Sequence, residues 1–546
     1  MPNSVPAKDF VDALSYPSKK NRPLALEPIS VPRDPLITLY TPFKGKKTTP
    51  SNFSYSLVFT AFDVRDYGPD IKKFIKIFSN LHVKKVYLET YRDGYSADPA
   101  LLKKVKKELS GLGFEVSGCV TTTHLSDRAK HNESVMASSC YTDSAAKKKL
   151  KEIFEQAAAL FNEIIIDDWF FTLCRCPECV SEKGKKSWDE YRGKLMADAA
   201  KKYVIAPAKK ANPKVKIILK MPQWYEGYMN AGYDTEKLFP LFDGICAGTE
   251  TRDYNKSPYM PVYGGMLMRY LSELAPGKVK SAWFDIYMCD DKLFTEQAYQ
   301  SVLAGASEII LFCAGVLPQK ENIPIIEKLI EKTAQIDRLK NFSGLFTVPF
   351  IREAAGKGDE GLHQYFLMAG IPVYLTPKTA LKEKIHILSE QSAPPAGRAA
   401  LFSALIKRKK DLVVTAGFAA SVKKYFNVSK LKKEIKADFF RHSGYDESVS
   451  SRLYMSVDVL KGRNIILVNN AYPVLSYMKI KDSAVWVLNL PYSKEEITNH
   501  MGAKENAGYR YMLKKRSITE PLKSLFMPYS NINLYDKVKT YFKYEI

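Results

Sequence analysis

Two groups of residues in this chain could do chemistry, and they lie almost side by side. One is Cys174-Arg-Cys176-Pro-Glu-Cys179; the other is Asp167-Asp168-Trp169, which closes the apolar run Ile164-Ile-Ile. Thiolates at such spacing are soft ligands suited to a tetrahedral metal, and tetrahedral zinc takes four. Cys140, in Ser138-Ser-Cys140-Tyr-Thr-Asp143, is the natural fourth. A four-cysteine site has no open position, so Cys140, Cys174, Cys176 and Cys179 are expected to hold a structural zinc, with no organic cofactor implied. Cys119, Cys246, Cys289 and Cys313 fall in apolar runs, where a small buried hydrophobe is the default.

Acids and aromatics close other apolar runs in the same way. Asp63 and Arg65 follow the first run, and then come Glu89-Thr-Tyr91-Arg92, Thr121-Thr-Thr-His124, Gln223-Trp224-Tyr225, Glu250-Thr-Arg252-Asp253 and Trp283-Phe-Asp285-Ile-Tyr287. Carboxylates flanked by Trp and Tyr are what cleavage of a glycosidic bond needs. One acid protonates the leaving oxygen, a second carboxylate attacks or activates water, and aromatic faces stack on the sugar. A single acid at a strand end is more often a helix cap than a catalyst. Seven such ends form a pattern that capping does not explain.

The elements that must position these residues follow a βα rhythm. Eight strands are expected, at Val58–Asp63, Lys85–Thr90, Glu115–Thr121, Glu163–Asp168, Val215–Met221, Gly244–Thr249, Ser281–Tyr287 and Glu308–Phe312. Amphipathic segments such as Ile71-Lys-Lys-Phe74-Ile75-Lys-Ile77-Phe78 separate them. Eight βα units in about 280 residues match a (β/α)8 TIM barrel, whose active site lies at the C-terminal strand ends. A doubly wound open sheet is the rival, but no Gly-rich turn follows the first strand.

The expected division is an extended leader over 1–50, the barrel over 51–340, a smaller flavodoxin-like α/β domain over 341–475, and a β-rich C-terminal segment over 476–546. Ile371–Leu375, Asp411–Thr415 and Asn464–Val468 read as strands of the smaller α/β domain, with a basic helix over Phe402–Lys410, and Ala484–Asn489 as a strand of the last segment.

The chain has 546 residues, 46% of them hydrophobic and 12% aromatic, enough for two or three domains with sizeable cores. No apolar stretch is long enough for a membrane helix. The start, Met1-Pro-Asn-Ser-Val-Pro, lacks a signal-peptide pattern, which slightly favours the cytoplasm. Eight cysteines over this length do not make a disulfide scaffold. The formal charge of +23 raises nucleic-acid binding, but no recognition motif accompanies it. Lysine runs such as Lys147-Lys148-Lys149 read as solvated helix faces, and an anionic glycan is a further source of such a charge.

A cysteine after strand 3, then a strand-4 acid followed by Cys-x-Cys-x-x-Cys, resembles the zinc cluster of family 42 glycoside hydrolases, the β-galactosidase type. Those proteins join a (β/α)8 barrel to a flavodoxin-like trimerisation domain. Gly370-Ile-Pro-Val-Tyr-Leu375 and Lys410-Asp-Leu-Val-Val-Thr415 look similar to strands of that domain. The resemblance covers about 55 to 335 and, more loosely, about 340 to 470. It implies a general acid/base at Asp168 and a nucleophile or general base at Asp285, where that family has Glu at both places. Each Asp is one methylene shorter, which on an unchanged backbone moves the carboxyls apart and tilts toward inversion. An arrangement with the nucleophile on strand 4 and the proton donor on strand 6 would instead use Asp167 or Asp168 with Glu250 or Asp253.

The leading expectation is therefore a glycoside hydrolase acting on an oligo- or polysaccharide. Its catalytic candidates are Asp168, Asp285 and Glu250. Its substrate-binding candidates are Asp167, Glu89, Arg92, Trp169, Trp224, Trp283, Tyr287 and His124. A homodimer or homotrimer is expected, with no nucleic-acid or membrane partner. The alternative is a carbohydrate-binding or scaffold protein on the same barrel.

Overall fold

The computed structural model describes residues 41–126, 138–252, 263–339, 348–351, 363, 366–367, 371–379, 382–439, 449–459, 462–468, 472–489 and 525–526. The expected leader up to residue 40, Asp253, and most of the expected C-terminal segment lie outside the described residues. The chain divides into two compact units, one over 1–253 and 263–343, the other over 254–262 and 344–546. Among the described residues no helix is long and apolar enough to cross a membrane.

The first unit is a closed parallel barrel. Its strands are β1 (Ser54–Phe59), β2 (Val83–Arg92), β3 (Glu115–Val120), β4 (Glu163–Ile166), β5 (Lys216–Met221), β6 (Gly244–Gly248), β7 (Val279–Asp285) and β8 (Glu308–Phe312). Each pairs in parallel with the next, and β8 and β2 both pair with β1, which shuts the ring. Helices intervene, as in the (β/α)8 architecture expected from the rhythm. The first strand is shorter at its end than expected. It stops at Phe59, and Ala61–Tyr67 is a helix (α1) capped by Thr60, with Asp63 closing the capping box. Asp63 thus sits in a helix turn rather than at a strand tip, because a Thr-x-x-Asp box offers the chain a better local bond set than another strand residue.

Alternation along the strands sorts the barrel interior into layers. Val58, Tyr87, Cys119, Ile165, Cys246, Trp283 and Ile310 form one buried apolar cluster, with Ile218 packed against it. That is one residue from every strand. Two residues further along each strand, the same face presents Thr60, Glu89, Thr121, Asp167, Lys220, Gly248, Asp285 and Phe312. Two residues back it presents Ser56, Lys85, Ser117, Glu163, Lys216, Gly244, Ser281 and Glu308. An apolar plug therefore separates two polar layers.

Residues 41–50 have no helix or strand but are tied down. Phe43 is buried, its ring 5.5 Å edge-on to Phe78, and its amide bonds the Ile77 carbonyl at 3.1 Å.

In the second unit the strands are β9 (Val348–Ile351), β10 (Val373–Thr376), β11 (Ile385–Leu388), β12 (Asp411–Thr415), β13 (Phe426–Phe439), β14 (Val449–Val459), β15 (Gly462–Val468), β16 (Tyr472–Ile480) and β17 (Ser483–Leu488). The sheet order is β10-β9-β11-β12-β17-β16-β15. The first five are parallel, in the 2-1-3-4-5 order of flavodoxin-like sheets, and β16 and β15 extend the edge antiparallel. β13 and β14 form a separate antiparallel pair. The helix expected over 402–410 spans Arg398–Lys407. The expected boundary at 475 falls inside β16, and β17, placed beyond it, supplies the fifth parallel strand.

Candidate active site and cysteine cluster

The upper polar layer converges on one ammonium. Lys220 at the end of β5 is buried, and its Nζ lies 3.1 Å from Asp167 Oδ1, 2.9 Å from Asp168 Oδ2 and 2.7 Å from Glu250 Oε1. It also stands 4.7 Å from the centroid of the Trp283 ring, a cation–π contact. The strand-4 and strand-6 acids are thereby drawn together from elements that are not adjacent in sequence.

Asp167 is saturated. Its Oδ2 takes a bond from Arg92 Nη2 at 2.9 Å, and its Oδ1 takes the Asp168 amide at 2.9 Å. Burial pushes this carboxyl up, but Lys220 and Arg92 outweigh it and hold it well below the usual carboxylate range. Glu89 is saturated as well, by Arg92, the Thr121 hydroxyl and the Ala61 amide at the start of α1. Burial nevertheless pushes Glu89 above its ordinary value.

Asp168 is placed differently. Burial, and the like charges of Asp167 and Glu250, push it up to about 7 against the pull of Lys220. Its side chain keeps 18% of its surface exposed, against 5% for Asp167. Its backbone is fixed, since Tyr233 donates a hydroxyl bond to the Asp168 carbonyl at 2.6 Å.

Asp285 ends β7 and pairs with Arg252. Its Oδ1 accepts the Tyr287 amide at 3.1 Å. Gln297 braces the pair by donating to the Asp285 carbonyl at 3.2 Å and accepting the Thr251 amide at 2.9 Å. Burial pushes Asp285 up to about 6 despite Arg252.

Glu250 is buried, and its Oε2 has no hydrogen-bond partner among the described residues. It folds back over Gly248, where a Cβ would meet Glu250 Oε2 at 2.6 Å and the Met221 carbonyl oxygen at 2.7 Å. Only glycine leaves the room.

The aromatic candidates separate. Trp169 is half-buried and stacks on Phe171 with centroids 6.0 Å apart. Trp283 is buried in the apolar plug beneath Lys220 and stacks on Phe312 at 5.6 Å. Trp224 is buried among Phe171, Tyr228 and Tyr233. Tyr287 is half-buried, 6.5 Å from the Phe312 ring. His124 stands apart from the Lys220 cluster, 39% exposed, with Nδ1 3.3 Å from Asp93 Oδ1.

Lys220 and the pairing of Arg252 with Asp285 are the features that reading the sequence missed. The signal was present: a lysine between Leu219 and Met221, two residues on from Ile218, is a charge on the inward face of a barrel strand.

Cys140, Cys174, Cys176 and Cys179 do come together, their sulfurs all within 4.8 Å of one another. Cys140 Sγ is 3.8 Å from both Cys176 Sγ and Cys179 Sγ. Sulfurs at about 2.3 Å from a tetrahedral metal stand about 3.8 Å apart, so this donor set could hold a metal ion. The Cys176 amide points at Cys174 Sγ at 3.5 Å. The thiols share hydrogen bonds, which hold Cys140 below its ordinary value and push Cys179 above its own. Buried Arg192 backs the cluster, donating to the carbonyls of Leu173 at 2.9 Å and Asn230 at 2.7 Å. The loops after β3, β4 and β5 are joined in this way.

Comparison with known proteins places these features. An uncharacterized protein of Saccharolobus solfataricus is 29% identical over 358 residues, 59% of this chain and 60% of that protein. The match thus spans less than two thirds of that relative's length. Among solved structures, an alpha-L-fucosidase isoenzyme 2 from Paenibacillus thiaminolyticus superposes with a TM-score of 0.58 at 12% identity, covering 88% of this chain and 84% of that one. An exo-beta-1,4-mannosidase from Opitutaceae bacterium strain TAV5 does so with a TM-score of 0.54 at 9% identity, covering 89% and 98%. At such identity these two share the fold. Residues 44–328, over half of the chain, match the family described as "Probable glycosyl hydrolase, catalytic domain", and the chain belongs to that family.

Proposed function

We propose that this protein hydrolyses O-glycosidic bonds, with Asp168 as proton donor and Asp285 as nucleophile or general base. The observation that carries the reading is the contrast in partners of two strand-end acids: Asp168 shares Lys220 with Asp167 and Glu250, while Asp285 pairs with Arg252. Burial raises both carboxyls, and the neighbouring carboxylates raise Asp168 further, which suits it as the acid and Asp285, beside its guanidinium, as the base. Asp168 would give its proton to the leaving oxygen as the C–O bond breaks. Asp285 would attack the anomeric carbon, or take a proton from the water that does. Asp167, Glu89 and Arg92 are saturated by one another, so their role is to fix that geometry and bind hydroxyls at their margins. Trp169, half-buried beside Asp168, is the aromatic platform. His124, Trp224, Trp283 and Tyr287 would line or support the sugar site.

The four cysteines support a structural zinc, which would supply no chemistry of its own but would hold the β3 and β4 loops together. That cluster, with a barrel preceding a flavodoxin-type sheet, supports kinship with family 42 glycoside hydrolases. We assign the second unit a role in forming a dimer or trimer, which light scattering on the intact chain would test. The substrate class is an oligo- or polysaccharide, including anionic ones.

The test is a panel of 4-nitrophenyl glycosides and polysaccharides, including fucosides, mannosides, galactosides and uronides. Release of nitrophenol or reducing ends is expected, and proton NMR of the first product anomer separates retention from inversion. Sugar-induced stabilisation without any release would instead support a binding protein.

A further inference from the structure

The mechanism above uses Asp168 but gives no role to the group that touches it most closely. Lys220 bonds Asp168 and Glu250 at 2.9 and 2.7 Å, so the two acids lean on one charge. Asp167, the third neighbour, already has Arg92 as its own counter-ion. One ammonium then serves two buried carboxyls, and only one of them can be ionised cheaply in so dry a place. Among the described residues Glu250 Oε2 has no partner, which points to the same imbalance.

We infer that Lys220 is a positioning residue that ties the carboxyls of Asp168 and Glu250 to one charge, holding Asp168 in place and easing release of its proton, while Glu250 on the same charge opposes that release. The inference rests on the reading of Asp168 as proton donor. The groups facing Lys220 are Asp167 and Asp168 after β4, Glu250 after β6, Cys119 of β3, Cys246 of β6, and Asp285 at the end of β7. Arg92 and Arg252 stand behind Asp167 and Asp285. The two thiols are pushed up by burial and stay neutral, so the carboxyls decide the charge. Glu250 raises Asp168 and so favours the proton there. When Asp168 has given its proton away, Lys220 is there to neutralise the carboxylate left behind.

The test compares Lys220→Met, Lys220→Arg, Glu250→Gln and the Lys220→Met/Glu250→Gln double variant, with pH profiles of kcat/KM on an alkyl glycoside of the sugar that the wild type cleaves fastest, whose leaving group needs the proton. Losing the cation should move the alkaline limb of the profile up by about one pH unit or more, and losing the neighbouring carboxylate should move it down. The double variant should fall back toward wild type, and Lys220→Arg should keep the wild-type limb. Lys220→Met leaves buried carboxylates unpaired and is the variant that could fail to fold. Glu250→Gln is isosteric and carries the test alone in that event.

Melting temperature against pH reads the same coupling without turnover. Between pH 5 and 8 the curve should be flatter for Glu250→Gln than for wild type. Unmoved limbs and an unmoved melting curve overturn the inference. So does a loss of turnover in Glu250→Gln as deep as in Asp285→Asn, which would make Glu250 a catalytic residue. Absence of any glycosidase activity alongside a shifted melting curve overturns the functional reading and leaves the pairing standing.

Discussion

The barrel carries two polar layers, above and below one apolar plug, and their carboxylates are satisfied in different ways. In the lower layer Lys85 serves Glu163 and Glu308, and those acids also accept from Ser56, Tyr87 and Ser117 at 2.7, 3.0 and 3.1 Å. Their side chains keep 25% and 17% of their surface exposed, so water shares the charge. In the upper layer Arg92, Lys220 and Arg252 serve five acids, Glu89, Asp167, Asp168, Glu250 and Asp285. Water hardly reaches Glu89, Asp167, Glu250 and Asp285, while Asp168, with 18% of its side chain exposed, is the one that opens to solvent. Where acids outnumber cations and most are buried, protons make up the balance, and a proton held at a strand end that opens to solvent is available for transfer.

Removing the upper-layer acids is the strongest way to break this contrast. Asp285→Asn should lower kcat about 10⁴-fold, and Asp168→Asn about 10²- to 10⁴-fold, with unchanged circular dichroism. The Asp168 loss should be smaller for a nitrophenol leaving group, which needs little protonation, than for an alkyl one. Equal, near-normal turnover in both would sink the assignment. The wild-type rate should be bell-shaped, rising near pH 6 as Asp285 ionises and falling near pH 7 as Asp168 loses its proton.

Next in size is the clamp beside the upper layer. Cys174→Ser, or prolonged chelation, should lower the melting temperature by about 10 °C, and elemental analysis should find one zinc per chain. A metal-free protein with normal stability would remove the clamp from the picture.

A subtler effect sharpens the comparison through pH. Asp168 is raised when folded, so its contribution favours the folded state at low pH and is lost as pH rises toward and through about 7. Asp168→Asn should therefore gain melting temperature relative to wild type as pH rises from 5 to 8. A constant difference would mean that Asp168 is not held protonated.

The smallest expected change is in the lower layer. Glu308→Gln should cost about 1 to 2 kcal/mol by urea unfolding and leave both limbs of the rate profile in place. A moved limb would show that the plug does not isolate the two layers.

Much of this is legible in the sequence alone. The βα rhythm yields the eight strands because strands buried on both faces become near-continuous apolar runs, as Ile164-Ile-Ile does. The cysteine cluster is readable because soft ligands at such spacing have few other uses. Asp168 and Asp285 are readable as strand-end acids. Asp63 misleads because a capping box and a strand tip look alike when only one acid is seen. Lys220 is hidden for the opposite reason: a lysine inside an apolar run reads as surface until alternation is followed around a closed ring. Trp224 illustrates a further limit, since composition cannot tell an aromatic packed among aromatics from one left half-buried like Trp169.

Gly248 adds a criterion for recognising the same machinery elsewhere. Glu250 lies folded over Gly248 as it meets Lys220, and a side chain two places before it would strike both its Oε2 and the Met221 carbonyl. The strand-6 acid is therefore inseparable from its glycine, and the diagnostic string is Gly248-Thr-Glu250-Thr-Arg252, read together with Lys220 at the close of strand 5 and Asp167-Asp168 after strand 4. A relative that keeps the acids but carries alanine at the glycine position would have to hold its carboxylates some other way. A search for such chains, sorted by that one position, would divide the family into those built on a shared ammonium and those that are not.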